Sequence, residues 1–210
     1  MSARERILSR LRAAPAPFSD VAPIAERRQM IPPQKTASEG LSQFIDNARS
    51  LGCFVYQVDR SEAVEQIMDL LDGDNSLLSW DEAHLPLDGA HGLLNSLGVA
   101  VARQDDGSAR VGLTGVNAAL AATGSLVLES GPGRYRSASL LPDLHIALMT
   151  AEQILPDLET WAAARAHAAF REASNTVIVS GPSKTADIGH QLVKGAHGPR
   201  ELHVMILSQA

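Results

Sequence analysis

The chain has almost no cysteine. Of its 210 residues one is a cysteine, Cys53, so no disulfide can close within it and no four-thiolate zinc or iron–sulfur site can be built from it. Cys53 stands beside Phe54 and Val55 and reads as a small buried hydrophobe. Aromatic residues make up only 4% and the formal net charge is −6, a poor basis for nucleic-acid binding, where phosphate contacts dominate affinity. No apolar run approaches the roughly 20 residues of a membrane span, and the N-terminus lacks the apolar centre of a signal peptide, so a cytoplasmic protein is expected. Seven histidines include no HxxxH or HExxH pair, which argues against a protein-built metal site. GxGxxG, GxxxxGK[ST] and GxSxG are missing too, and the common dinucleotide, P-loop and hydrolase-elbow readings lose their main support.

What is present is an ordinary core-forming composition, 45% hydrophobic and 20% charged, enough for one domain with an appendage. Arg4, Arg6, Arg10 and Arg12 alternate with Ile7, Leu8 and Leu11, as in a short amphipathic helix with a solvated face. Pro15, Pro17, Pro23, Pro32 and Pro33 then make residues 13–35 an extended connector. The expected division is therefore an N-terminal helix and arm over 1–35 and an α/β domain over 36–210.

Within the domain, apolar spacing predicts helices over 41–51 and 61–71, and a helical stretch over 84–97 interrupted near 86–89. It further predicts an alanine-rich helix over 116–122 capped by Thr114, a long helix over 151–173 that Pro156 can break, and a helix over 184–194 ending at Gly195. Strands are predicted over 53–58, 76–80, 98–103, 110–113, 125–129, 145–150, 176–179 and 202–207. Alternation of this kind means a mostly parallel sheet flanked by helices. The Asp105–Ser108 turn suggests one short antiparallel element. Trp80 and Trp161 read as core.

The densest chemistry lies in Ser180-Gly-Pro-Ser-Lys-Thr-Ala-Asp-Ile188, after the apolar run Thr176–Val179. A small-residue loop between a strand and a helix can aim backbone amides at an anion. Ser180, Gly181, Ser183, Lys184 and Thr185 are the candidate contacts, and Asp187 would orient Lys184. The plainer reading is a Gly-Pro turn with a helix N-cap. A helix over 184–194 would span roughly 16 Å and return the chain to the other sheet edge, placing His197 and Arg200 at the opposite end. Thr123-Gly124-Ser125 reads either as a helix C-cap or as a second small-residue ligand wall. Arg134 and Arg136, in a Gly-Pro-Gly loop after a strand, suit a carboxylate or phosphate, or simply a solvated loop. His145 is either a general acid–base or a hydrogen-bonded structural residue. His145, Lys184 and Asp187 are the catalytic candidates. A Ser183–His145–Asp187 triad can be drawn, with nothing in the sequence to bring the three together.

Taken together, Ala121–Leu128, Leu140–Ile146, Ser180–Ile188 and Gly195–Arg200 resemble the LUD domain of the lactate-utilisation protein C family, over about residues 40–207. The resemblance implies a NagB/RpiA/CoA-transferase-like sheet. It also implies a part in oxidising L-lactate to pyruvate beside an iron–sulfur partner and a cysteine-rich partner, with no cofactor in this chain and iron–sulfur clusters in the partners. Similar chains carry an acid just before the Thr-Gly pair, where this chain has Ala122. The same fold class also implies an alternative, a free-standing enzyme binding a phosphorylated, nucleotide or CoA-linked carboxylate. The proline-rich arm suggests a third, a regulatory binding module. A small anionic ligand fits the first two, and a homo-oligomer stays open in all three.

Overall fold

A computed structural model describes residues 2–13, 37–102, 107–186 and 192–208. Two compact units divide the chain, Met1–Gln34 and Lys35–Ala210. In the first, α1 (Ala3–Ala13) forms where the arginine–leucine spacing predicts it and buries none of its residues. Most of the proline-rich connector, and Asp187 further on, lie outside the described residues.

The second unit runs α2 (Ala37–Ser50), β1 (Phe54–Val58), α3 (Arg60–Leu71), β2 (Ser76–Ser79), α4 (Ala90–Ser96), β3 (Ala100–Ala102), β4 (Val111–Thr114), β5 (Ala118–Leu120) and β6 (Ser125–Ser130). It continues with α5 (Ser137–Leu140), β7 (Leu144–Thr150), β8 (Ile154–Leu155), α6 (Leu158–Glu172), β9 (Asn175–Val179), β10 (Lys184–Ala186), β11 (Leu192–Lys194) and β12 (Glu201–Leu207). Six strands form a wholly parallel sheet in the order β1-β12-β7-β4-β2-β3. Four more form a smaller sheet, β8-β5-β6-β9, in which β6 runs antiparallel to both neighbours. Fold class is thus α/β, as the alternation of elements predicts.

The central strands of the large sheet are buried on both faces, Leu144–Met149 along β7 and Leu202–Leu207 along β12. Such near-continuous apolar runs are what a parallel sheet covered on both sides requires. The small sheet's β6 alternates instead: Leu126 and Leu128 join the main core, and Val127 joins a second cluster with Trp161 of α6. Helix α3 begins at Asp59, whose carboxylate accepts from the amides of Ser61 and Glu62 while Glu62 reaches back to the Asp59 amide.

Four sequence expectations are corrected. Residues 116–122 hold a strand, not a helix: Ala118–Leu120 is fully buried between β6 and β8, and that pairing overrides alanine's helix propensity. The 151–173 helix is broken at Pro156, as that proline allows, but the part ahead of it is a short 3₁₀ turn and β8 rather than helix; α6 starts after Pro156 with Asp157 accepting from the Thr160 amide. The strands on either side of the Asp105 turn do not pair with each other; β3 and β4 both lie parallel to β2, and the antiparallel pieces are elsewhere. Finally, the described parts of 184–194 are the two strands of an antiparallel hairpin, in the register Lys184↔Lys194, Thr185↔Val193 and Ala186↔Leu192.

The chain passes from β2 outward to β3 at one edge, and from β4 in the other direction to β7 and then β12. The adjacent carboxyl ends of β2 and β4 are therefore a topological switch point, the position where open α/β sheets form a crevice.

Candidate functional site

Loss of the 184–194 helix changes the geometry of the Ser180 loop. Without that helix the chain does not cross to the far edge, and the two glycine–proline motifs meet. The Ser183 amide donates to the Pro199 carbonyl (2.8 Å), the Gly195 amide to the Ser183 carbonyl (3.0 Å), and the His197 amide to Ser183 Oγ (3.3 Å). Arg200 donates its amide to the Asp143 carbonyl (2.7 Å) and sets its guanidinium 3.8 Å from the Asp143 carboxylate. The expectation that the Ser180 and His197 loops lie apart is overturned.

Around this clasp gather most of the other candidates. Lys184 Nζ donates to the Leu51 carbonyl (2.6 Å), just before β1. Gly181 packs so closely that a Cβ there would meet the Leu51 carbonyl oxygen at 2.9 Å, with φ at +86°. Ser180 and Ser125 share a hydroxyl–hydroxyl hydrogen bond of 2.8 Å. Thr123 and Gly124 form the turn between β5 and β6, not a helix C-cap, and both amides donate to the Leu120 carbonyl. A Cβ on Gly124 would sit 2.3 Å from the Ala48 amide nitrogen of α2. Ala122 donates its amide to the Pro156 carbonyl, and Asn47 Nδ2 donates to the Ala121 and Ala122 carbonyls.

Leu51, Asp143 and Arg200 stand just before β1, β7 and β12, and the loops that follow β5 and β9 meet α2 and Leu51. The Ser183, Gly195, His197 and Arg200 amides are engaged within the protein, and the lysine is tied to a carbonyl. The arrangement locks three sheet connections to the end of α2. Thr185 contributes its backbone to β10.

His145 lies two residues past Asp143, inside the sheet. It is 1% exposed on β7, hydrogen-bonded through Nε2 to Thr114 Oγ1 (2.9 Å). Burial, aided by the neighbouring His203, lowers its pKa to about 4. It is a neutral structural imidazole at pH 7, out of reach of a substrate, and the Ser183–His145–Asp187 triad loses its base. Cys53 is buried as expected; burial pushes its thiol up to about 11 against the opposing charge of Lys184.

Arg134 and Arg136 occupy the opposite, carboxyl edge, at the switch point. Gly131 and Arg134 exchange backbone hydrogen bonds in a tight turn. That turn is fastened to the end of β2 by the Asp81 amide donating to the Gly133 carbonyl (2.7 Å) and Trp80 Nε1 donating to the Tyr135 carbonyl (3.1 Å). His84 Nε2 donates to the Pro132 carbonyl (3.2 Å). Asp81 beside the Tyr135 phenol raises its pKa. Gly133, at φ +72°, cannot carry a Cβ without meeting the Asp81 carboxylate at 2.7 Å. An open cleft of ≈ 440 Å³ runs along this turn, lined by Ser130, Arg134, Tyr135, Arg136 and, from the start of β9, Asn175. Arg134 Nε and Asn175 Oδ1 are shielded from water and have no hydrogen-bond partner.

Sequence reading missed Asn175, Tyr135 and Asp81 as parts of this cleft, because β6–β9 pairing and the fastening of the turn to β2 are long-range. It also missed a chain at the free edge of the sheet. There the Tyr56 hydroxyl meets His203 Nδ1 (3.1 Å), and His203 Nε2 donates to Glu201 (3.1 Å). Alternation of Glu201 and His203 on a strand was the available signal. A third omission is Glu129, wholly buried, with Arg165 of α6 as its ion-pair partner at 3.2 Å. Among the described residues no group of three or more His, Cys, Asp or Glu side chains is placed to hold a metal ion. None of the described helices is long and apolar enough to cross a membrane.

The fold and these loops define a doubly layered α/β domain with a parallel sheet, a glycine–proline clasp at one edge and a basic cleft at the other. The chain belongs to the LUD domain family, whose model matches residues 41–207. It is 31% identical over 155 residues to lactate utilization protein C of Halalkalibacterium halodurans, covering 68% of this chain and 67% of that protein. An uncharacterized protein of Neisseria meningitidis serogroup B is 28% identical over 223 residues, covering 99% of this chain and 94% of the other. The crystal structure of a DUF162 family protein from Deinococcus radiodurans shares the fold with a TM-score of 0.59 at 23% identity, over 83% of this chain and 100% of that one.

Proposed function

We propose that this chain is a cytoplasmic component of an L-lactate-oxidising system that has no redox centre of its own and works with iron–sulfur partner proteins. The observation that carries the reading is the family match over residues 41–207, joined to a relative named lactate utilization protein C. Electron accounting supports the division of labour. Oxidation of lactate to pyruvate removes two electrons and two protons. The sequence's one thiol, Cys53, is buried and held protonated, so it is poorly suited to serve as thiolate ligand or as electron acceptor. The reading therefore assigns the acceptor to a partner.

The test is an affinity pull-down of the tagged chain from its native host grown on L-lactate, with the eluate assayed for iron and for lactate-dependent dye reduction. The expected result is co-elution of iron and activity, with the purified chain alone inactive. Dye reduction by the purified chain alone, or elution of the chain with neither iron nor activity, would overturn the proposal.

A further inference from the structure

We propose that β9 is the contact surface between two copies of this chain, which pair antiparallel along it about a two-fold axis through Ile178. Pairing of this kind joins the two four-stranded sheets into one.

A strand at the edge of a sheet leaves one row of backbone amides and carbonyls unpaired. Folded proteins protect such rows by shortness, charge, proline or a covering group. The six- and four-stranded sheets have four edges, β1 and β3 in the large one, β8 and β9 in the small. Three are protected. β3 has three residues and β8 two. Along β1 the Val58 carbonyl accepts from the Ser208 amide on the β12 side, so the Val55 carbonyl, three residues back, faces outward. Arg49 Nη2 covers it at 3.1 Å. β9 has none of these devices. It is five residues long, with no charge and no proline, and among the described residues only β6 pairs with its backbone. Ile178, 42% exposed, stands near its middle.

Charge around the strand selects the partner. Uncharged residues run from Ala173 to Ser183 in a chain of net charge −6. Two copies that repel elsewhere can approach along this stretch without setting like charges against each other. Glu172 closes the stretch at one end and Lys184 at the other, each six residues from Ile178. Both are exposed. Glu172 shares Arg165 with Glu129, which leaves that end one formal negative charge, while Lys184 has a carbonyl, not a carboxylate, as its partner. A two-fold axis at Ile178 sets the acidic end of each copy beside the basic end of the other. It also pairs Ile178 with Ile178 and Val177 with Val179, β-branched partners that suit neighbouring strands. The contact is isologous, so it closes as a dimer and uses up both β9 edges.

The test is sedimentation equilibrium of the full chain as parent, Ile178→Lys and Leu93→Lys. The parent should have twice the mass of one chain. Ile178→Lys should have the mass of one, because it sets two like charges face to face on the axis. Leu93→Lys changes an exposed leucine of α4 and should stay dimeric. Ile178→Cys keeps the proposal testable if Ile178→Lys fails to fold. The chain's own thiol, Cys53, is buried, so an oxidant should link two Ile178→Cys chains through position 178. Cα atoms across an antiparallel pair lie about 4.5–5.5 Å apart, within disulfide reach. Leu93→Cys, treated alike, should link far more slowly. A parent that stays monomeric up to about 0.1 mM overturns the proposal and leaves β9 to a strand of another protein. A dimer that survives in folded Ile178→Lys overturns it too, as does cross-linking of Ile178→Cys no faster than that of Leu93→Cys.

Discussion

His145 shows how much one buried side chain can set. It is paired to Thr114 inside the sheet, and its pKa is lowered to about 4 by burial first and the neighbouring His203 second. An unfolded chain binds that proton near pH 6.5, so between pH 6.5 and 4 the unfolded state holds more protons than the folded one. Stability from the neutral imidazole is complete above pH 6.5, is lost as the pH falls toward 4, and changes no further below it. The span corresponds to about 3 kcal/mol. His203 is shifted in the same direction, mainly by burial, so a single variant is needed to separate them. His145→Gln keeps a polar group for Thr114 and cannot titrate. Urea midpoints at pH 7.5 and pH 4.5 should show a much smaller acid loss in the variant than in the parent. An equal loss in both would remove His145 as the cause.

At the scale of elements, close approach of α2 to the β5–β6 turn decides what Gly124 can be. Its φ is +67° and a Cβ would press on Ala48 at 2.3 Å. Gly73 has a similar backbone, φ +88°, with nothing within 4 Å of its Cβ position. Both pay the left-handed strain on substitution by alanine, roughly 1 kcal/mol. Only Gly124→Ala also forces a helix from its turn, adding on the order of 1–3 kcal/mol. Denaturation midpoints should rank parent, Gly73→Ala and Gly124→Ala in falling order, and equal losses in the two variants would contradict the packing argument. Gly124 was legible as a position needing positive φ; what it turned against was not. The same holds for the parallel core. Runs such as Ile146–Met149 announce buried strands by composition, and β1, β2, β7, β9 and β12 fall where expected. The 118–120 and 184–194 segments do not, because alanine-rich and mixed sequences take their form from the strands or loops they pair with. Gly195 and the Ser183 hydrogen bonds belong to a clasp, and no local pattern records that. The candidate site was legible to the same degree: the arginine loop was found as a local cluster, while its partner Asn175 lies on a strand about 40 residues away and becomes visible only through β6–β9 pairing.

Over the whole second unit, the alternation along β6 ties two sheets into one body. Leu126 and Leu128 sit in the large core with Ile146 and Val204, and Val127 between them packs with Trp161 of α6. Removing α6 from the small sheet would expose one face of a strand whose other face is already committed, so the two clusters should melt together. The two tryptophans make this testable, since Trp80 belongs to the large core and Trp161 to the small cluster. Trp161→Phe leaves Trp80 as reporter, and Trp80→Phe leaves Trp161. In each variant the fluorescence midpoint in urea should coincide with that variant's far-ultraviolet circular dichroism midpoint. Comparison within a variant matters because Trp80→Phe also loses the hydrogen bond to the Tyr135 carbonyl and is expected to be less stable overall. A Trp161 signal that changes well before the circular dichroism would mean that α6 peels away first. The cleft wall at Asn175, which follows α6 in the chain, would then belong to a locally unstable region rather than to a pre-formed site.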